Sequence, residues 1–235
     1  MKKIIITALG FLLFASPLTA FANIAFVRAL TEQSGTSASF DATGCTFLHV
    51  FIMRRSGTTI SVTYNSVSMT QIAVNTGHNV SATDDIFSFG LKSPTTGSNT
   101  IAITSNGSLF RWSAACYSGS DTSGTGWEAA NTASASSGAL ACTVTPTKRD
   151  WILGGGWVNV VPTADSNTTF RDNEAGLILM DSNVDTTTAY GIGYTNNTQG
   201  DLTCFGLIDA TQPAPTFIPF SFFFKILGDW NGRGW

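Results

Sequence analysis

The chain has 235 residues and a formal net charge of −3, and only 11% of its residues are Asp, Glu, Lys or Arg, against about 25% in an average soluble domain. Threonine, serine and asparagine together supply 71 residues, so neutral hydroxyls and amides replace charges as the groups that face water. This composition argues against nucleic-acid binding, which requires clustered lysine and arginine. Seventeen phenylalanines and six tryptophans can form a core, which argues against disorder.

The first 22 residues carry the pattern of an export signal. Lys2 and Lys3 form a short basic start, residues 4–13 are apolar, and residues 20–22 match the small-x-small pattern of a cleavage site. A membrane anchor is the alternative, but the apolar run is short and Pro17 interrupts its end. We therefore expect cleavage of residues 1–22, no membrane span afterwards, and a secreted or cell-surface protein of bacterial type.

Strand patterns follow one another through the rest of the chain. Residues 45–53 (CTFLHVFIM) form a nearly continuous apolar run of the kind found inside a sandwich. Residues 60–64 and 67–74 alternate between apolar and polar side chains around Asn65 and Ser66, which predicts a hairpin. The same reasoning predicts further strands over residues 86–91, 100–104, 110–117, 140–145, 151–160, 176–180, 188–194 and 202–208.

These elements predict one domain. Residues 118–138 are rich in serine, glycine, threonine and alanine, which predicts a long surface loop; a linker between two domains is the alternative. Because neither flanking group alone supplies enough strands to close a sandwich, we expect a single β-sandwich domain over residues 23–212. Residues 213–235 then form a C-terminal segment with a strand pattern at 217–227 and a glycine- and tryptophan-rich tail.

Export determines how the four cysteines are interpreted. Cys45, Cys116, Cys142 and Cys204 are an even number in a chain bound for an oxidising compartment, so we expect two disulfides between predicted strands. Four cysteines allow three pairings, and all three remain open; free buried thiols are the alternative. The chain has no CxxC pair and only two histidines, so no metal site is predicted.

Two phrases of the sequence point to a family. Residues 62–70 (VTYNSVSMT) are similar to the hairpin phrase V-T-Y-N-G-V-x-M-T, and residues 114–119 (AACYSG) are similar to the phrase A-x-x-Y-S-G. Together they resemble jelly-roll, concanavalin-like β-sandwich modules of secreted bacterial and phage-encoded proteins. The resemblance covers about residues 24–210; it departs from the pattern at Ser66, where the family has glycine, and after Pro213. It implies an all-β, jelly-roll-type antiparallel sandwich in an extracellular setting, without catalytic residues.

Groups that could carry catalysis are sparse. Glycoside hydrolysis requires two carboxyl groups that face one sugar bond, and Asp172 and Glu174 are spaced to share a strand face. Solvated loop charges before the strand at residues 176–180 explain the pair as well. His49 lies in a predicted strand and is interpreted as structural, whereas His78 lies in a turn. We therefore expect no catalytic site and no cofactor.

A calcium loop is a further possibility, at residues 181–185 (DSNVD), where oxygen ligands stand at alternating positions. Thr186 and Ile192 replace the glycine and the glutamate of an EF-hand. Polar turn residues between strands are therefore the better interpretation.

Aromatic and apolar side chains supply the candidate contacts. Trp127 in the predicted loop, with Trp230 and Trp235 in the tail, could stack on sugars; packing of these rings on loops is the alternative. In residues 217–227, one strand face is formed by Phe220, Phe222, Phe224 and Ile226.

Such a strand is costly to leave in water. We expect it to complete its own sheet, and the alternative is addition to a neighbouring copy as an assembly strand. The sequence therefore predicts a structural or adhesive role at the cell surface or in an extracellular or virion-like assembly, with a glycan or a second copy as partner. A carbohydrate-binding module is the second interpretation, and a glycoside hydrolase is a distant third.

Overall fold

The computed structural model describes residues 24–56, 59–76, 83–174, 176–195 and 199–210, and these residues form strands and no helix. Every strand pair is antiparallel. The all-β antiparallel sandwich is thereby confirmed. The strands are β1 (Ala25–Gln33), β2 (Ser37–Asp41), β3 (Phe47–Arg55), β4 (Ile60–Tyr64), β5 (Val67–Ser68), β6 (Thr70–Asn75), β7 (Asp84–Lys92), β8 (Ser98–Ser105), β9 (Ser108–Ser118), β10 (Trp127–Ala135), β11 (Leu140–Val144), β12 (Asp150–Val158), β13 (Thr169–Glu174), β14 (Leu177–Asp181), β15 (Tyr190–Tyr194) and β16 (Gly200–Ile208).

The first nine strands form one sandwich, and the last seven form a second. In the first unit an inner sheet with the order β1-β9-β3-β7-β6 packs against an outer sheet with the order β2-β8-β4-β5. In the second unit the inner sheet has the order β10-β16-β12-β14-β13 and the outer sheet is the pair β11-β15. Each unit thus packs a five-stranded inner sheet against a smaller outer sheet, of four strands in the first unit and two in the second.

The two units share one topology. In each inner sheet the first strand of the unit pairs with the last, and the last strand pairs with the strand that becomes the centre of the sheet. The outer pair β2-β8 corresponds to β11-β15 in the same way. Residues 163–165 lie beside β15, because Thr195 N donates to Thr163 O and Asp165 N donates to Gly193 O. They occupy the position that β4 occupies beside β8 in the first unit. The described residues therefore contain a tandem structural repeat instead of a single sandwich.

The predicted loop at residues 118–138 is wrong over Trp127–Ala135, which form β10 and pair with β16, whereas residues 119–126 and 136–138 lie between strands. Serine, threonine and alanine dominate this strand, and most of its side chains are exposed. The strand therefore lacks the apolar alternation on which sequence-based detection of strands depends.

The four sheets stack in the order outer, inner, inner, outer, with a core between each neighbouring pair. Leu48, Val50 and Ile52 of β3 face the outer sheet of their own unit. Phe47, Phe51 and Met53 alternate with them and face the second unit, where they meet Leu153, Phe205 and other side chains. A strand that is buried on both faces has no polar side, which explains the continuous apolar run at this position.

Each unit carries one disulfide inside its own sandwich. Cys45 bonds to Cys116 with a Cα–Cα distance of 5.6 Å, and Cys142 bonds to Cys204 with a Cα–Cα distance of 5.9 Å. The expectation of two disulfides is confirmed, and neither disulfide links the two units. Cys45 precedes β3 instead of lying within a strand, so one of the four predicted strand positions is wrong.

The β4-β5 hairpin turns through Asn65 and Ser66, whose φ angles are +49° and +64°. Two consecutive positive φ angles are typical of a type I′ turn, in which glycine is favoured at the second position. Ser66 therefore adopts a backbone conformation that favours glycine, at a conformational cost.

Candidate interaction surface

The one described histidine is inaccessible. His49 on β3 lies between the two inner sheets, and its Nε2 is 3.1 Å from Ser88 Oγ, which is 2.8 Å from Thr203 Oγ1 on β16. All three side chains are fully buried, and burial lowers the pKa of His49 to about 3. The chain of hydrogen bonds joins the two inner sheets, whereas Nδ1 of His49 has no hydrogen-bond partner. None of the three side chains is accessible to a substrate.

The candidate calcium loop is used internally. Asp181 is buried and accepts hydrogen bonds from Arg171 Nε and Nη2 at 2.6 and 2.9 Å and from the Tyr117 hydroxyl at 3.0 Å. Asn183 accepts a further bond from Arg171 Nη2 at 2.9 Å. Two of the three candidate ligands, Asp181 and Asn183, are therefore occupied by one guanidinium, and the third, Asp185, pairs with Arg149 at 2.7 Å. Among the described residues, no group of three or more histidine, cysteine, aspartate or glutamate side chains is placed to hold a metal ion.

Asp172 and Glu174 lie on β13, so their interpretation as loop charges is wrong. Asp172 is buried with Oδ2 lacking a hydrogen-bond partner, whereas Glu174 is exposed. Burial and the negative charges of Glu174 and Glu32 raise the pKa of Asp172 to about 6. Glu32 comes from β1 of the other unit, where it is held by Arg111 Nη1 at 2.7 and 2.8 Å. Because only Glu174 of the pair faces solvent, the two carboxyl groups do not present a common open face to a sugar bond.

A second pair of carboxyl groups, Asp150 and Glu128, was not singled out by sequence spacing. Glu128 on β10 accepts bonds from the backbone amides of Thr147 and Lys148 at 2.7 and 2.9 Å. Asp150 at the start of β12 is fully buried, and no donor bonds to either of its carboxylate oxygens. Burial and the neighbouring Glu128 raise the pKa of Asp150 to about 8. The neutral acid is therefore its main form at pH 7.

Of the aromatic and apolar side chains proposed as contacts, the structure describes Trp127. Trp127 begins β10 and is partly buried, with its ring centroid 5.8 Å from that of Phe47 in the core between the units. The ring thus packs on the other unit instead of standing on a loop. The remaining candidates, Trp230, Trp235, Phe220, Phe222, Phe224 and Ile226, lie outside the described residues.

A shallow groove runs where the edges of the inner sheets meet. Asn75 of β6 closes this junction by donating from Nδ2 to Ala133 O at 2.9 Å and to Leu202 O at 3.1 Å. Beside it lies an open depression of about 250 Å³, lined by Ile72, Ala73, Val74, Ala130, Asn131 and Thr132. The lining contains no ionisable or aromatic side chain.

The outward side of the outer sheet of the first unit carries many hydroxyl groups. Ile101 and Ile103 of β8 point into the core, so Thr100 and Thr104 point outward, and β4 and β2 alternate in the same way. The register aligns Ser37, Ala102, Thr63 and Ser68 in one row across all four strands. We call this surface the hydroxyl face; its hydroxyl-bearing residues are Ser37, Ser39, Ser61, Thr63, Ser68, Ser98, Thr100 and Thr104.

Charge is segregated away from this surface. Asp41 is the one charged residue in the strands of either outer sheet, and it lies at a strand end, paired with Arg28 of β1. The strands of the inner sheets carry all the other strand charges, including the cross-strand pairs Arg54–Asp85 and Arg55–Asp84 at 2.9 and 3.0 Å. Charged side chains are mostly exposed in folded proteins, so a distribution with nearly all strand charges on the inner sheets is the inverse of the usual one.

Sequence reasoning did not single out the hydroxyl face. The signal lies in the period of two, in which serine or threonine alternates with apolar residues at 37–40 and 61–64, and at 100–104 with Ala102 in place of one hydroxyl residue. Alternation predicted the strands at residues 60–64 and 100–104, whereas β2 at Ser37–Asp41 was not predicted. The polar side chains were interpreted only as the side that faces water.

Comparisons with known proteins add no argument about function. No family model matches the chain, and no curated protein matches it. One solved structure, the crystal structure of GK1651 from Geobacillus kaustophilus, aligns over 79% of this chain and 82% of its own with 8% sequence identity and a TM-score of 0.23, which is too low to indicate a common fold. Among the described residues, no helix is long and apolar enough to cross a membrane.

Proposed function

We propose that the protein is an exported, non-catalytic β-sandwich with a structural or adhesive role, at the cell surface or in an extracellular or virion-like assembly. The observation that carries the proposal is the inverted charge distribution: two outer sheets whose strands contain one charged residue, Asp41. Contact with an extended partner removes water from a face, and this costs little when no ionised group must be desolvated. Faces of this kind suit lasting contact with a large surface.

Two further features support an extracellular role. Each unit contains its own disulfide, and disulfides persist in oxidising compartments. The basic and apolar pattern of residues 1–22, which lie outside the described residues, fits a secretory signal.

Self-association is the simplest form of a structural role. We propose that residues 213–235 contribute to it by the second of the two possibilities that the sequence leaves open, addition to the sheet edge of a neighbouring copy. Residues 217–227 carry the apolar strand pattern, and an unpaired strand of that kind adds readily to a sheet edge. These residues lie outside the described residues, so the proposal rests on their sequence.

Light scattering coupled to chromatography tests this role on residues 23–235. We expect a mass of several chains, which deletion of residues 213–235 reduces to that of one chain. Deletion of residues 228–235 alone is the matched control, because it removes the glycine- and tryptophan-rich end and keeps the strand pattern; it should leave the oligomer intact. A single-chain mass for the intact protein would overturn the assembly role. If the intact protein is a single chain and also adheres to no extended surface, the adhesive role is overturned too.

A further inference from the structure

The geometry points to a ligand class for the hydroxyl face: we infer that this face binds the flat surface of an uncharged polysaccharide. The inference rests on the adhesive half of the proposed function and names its partner. It uses the described strands β2, β8, β4 and β5 and is independent of the C-terminal segment.

The spacing of the hydroxyl groups suits a repeating polymer. Neighbouring strands lie about 4.8 Å apart, and alternate residues on one strand lie about 6.7 Å apart, so the face is a two-dimensional lattice of small groups. Ser39 Oγ and Ser98 Oγ are 3.1 Å apart across the β2-β8 pair, which shows that the hydroxyls of adjacent strands approach to hydrogen-bond distance. Each hydroxyl offers one donor and two acceptor lone pairs, the same set that sugar hydroxyls offer.

The near absence of charge on the hydroxyl face favours an uncharged partner. Asp41 at the corner of the sheet is neutralised by Arg28, so the face has no cation for the phosphates of nucleic acid or for an acidic polymer. A neutral polysaccharide requires no counter-charge, and its hydroxyls exchange bonds with water for bonds with the protein at nearly equal free energy. The outward positions of the central strand β8 carry no large apolar side chain, since Ala102 stands between Thr100 and Thr104, which disfavours an apolar protein interface.

Each hydrogen bond between the hydroxyl face and a sugar contributes little affinity, and many such bonds together contribute much more. Several hydroxyls must engage at once, so an extended polymer should be held more tightly than a short soluble sugar of the same composition. Because no ion pair is involved, retention should be insensitive to salt.

The test is depletion of the intact chain, residues 23–235, from solution by microcrystalline cellulose and by chitin, at low salt and in 1 M NaCl. The face variant is Thr100→Lys with Thr104→Lys, which places two cations on one side of β8. The matched control is Ala130→Lys with Thr132→Lys, an equal charge change at exposed alternate positions of β10. We expect at least one of the two polymers to retain the protein, the face variant to lose at least tenfold in apparent affinity, and the control to retain it.

A second variant, Thr100→Val with Thr104→Val, removes two hydroxyls and keeps the size of the side chains. It therefore tests whether the polymer is held by hydrogen bonds to the hydroxyls or only by burial of surface. These substitutions keep the shape and the strand preference of threonine, so folding is preserved, and melting temperatures verify this. We expect a clear loss of retention in the valine variant as well. No retention on either polymer, equal loss in the face and control variants, or full retention in the valine variant would each overturn the inference. An oligomer that fails to bind either polymer would overturn the inference and leave the assembly role standing.

Discussion

The hydroxyl of Tyr117 donates a 3.0 Å hydrogen bond to the carboxylate of Asp181, and this bond crosses from the inner sheet of the first unit to that of the second. The same carboxylate is held by Arg171, whose guanidinium lies 4.2 Å from the ring centroid of Phe26 on β1. Burial raises the pKa of Asp181, and Arg171 and Tyr117 oppose that rise. One buried cluster thus joins β1 and β9 to β13 and β14.

Removing the charge of Asp181 should destabilise the protein more than removing the tyrosine hydroxyl. Asp181→Asn leaves the mostly buried guanidinium of Arg171 without a counter-charge, and we expect a loss of about 3 kcal/mol in the free energy of unfolding. Tyr117→Phe removes one bond and should cost about 1.5 kcal/mol. Urea unfolding with the disulfides intact measures both.

Asp41→Asn is the matched control for Asp181→Asn, because it breaks the exposed Arg28–Asp41 pair. We expect a change below about 1 kcal/mol there. Equal effects at Asp41 and Asp181 would show that the buried cluster does not hold the units together.

Close packing between the units depends on the absence of a side chain at Gly155. A methyl group at this position of β12 would overlap the ring of Phe51 on β3. Gly155→Ala should therefore force the ring or the strand to move and lower the stability by about 1–3 kcal/mol, as measured by chemical unfolding. Gly124→Ala is the control, since a methyl group there meets its nearest neighbour, Asp121 Oδ2, at 3.6 Å. An unchanged stability for Gly155→Ala would mean that the inner sheets are less tightly packed than described.

The two strands of this contact also show how far the sequence predicts the fold. The apolar run of β3 indicated a strand inside a sandwich, because burial on both faces leaves no polar alternation. The second sandwich was not predicted, since its outer sheet has only two strands and its first strand, β10, consists mainly of exposed small residues. Recognition of the repeat requires the pairing of β9 with β1 and of β16 with β10, which no local pattern records.

The turn at Ser66 predicts a stabilising substitution. A serine with φ of +64° pays a backbone cost that glycine avoids, and the turn type favours glycine at this position. Ser66→Gly should raise the stability by about 0.5–1 kcal/mol, seen as a higher melting temperature. Ser61→Gly in β4 is the control with the same chemical change, and it should lower the stability because it loosens a regular strand. A loss of stability in both variants would contradict the assigned turn.

The candidate surface was less predictable than the fold. Low charge and abundant Ser and Thr were evident, but their concentration on one face depends on the register that aligns Ser37, Ala102, Thr63 and Ser68. Trp127 was proposed as a sugar contact because a tryptophan in a polar segment suggests exposure, and its contact with Phe47 arises only from the stacking of the two units. Local sequence thus predicts which side of a strand is polar, and tertiary stacking decides which polar sides remain open.

Asp150 predicts how the stability depends on pH. Its pKa is raised from 3.8 to about 8 in the folded chain, so the folded state binds this proton more tightly than the unfolded state does. The stabilisation from the neutral acid is complete below about pH 4 and is lost as the pH rises toward 8. Asp150→Asn keeps a neutral group, so its stability relative to the parent protein should increase with pH by up to about 1.4 kcal/mol per pH unit within this window. Chemical unfolding at pH 5, 6.5, 8 and 9 measures the difference.

Asp172→Asn provides the internal control for that measurement. The pKa of Asp172 is raised only to about 6. The stability of Asp172→Asn relative to the parent protein should therefore stop increasing near pH 6, whereas that of Asp150→Asn should increase up to pH 8. If the relative stability of the two variants increases over pH ranges with different upper limits, each pH dependence can be assigned to one carboxyl group. A constant difference across the pH range for Asp150→Asn would contradict a neutral Asp150, and would indicate that Glu128 and Asp150 are both ionised in the folded protein.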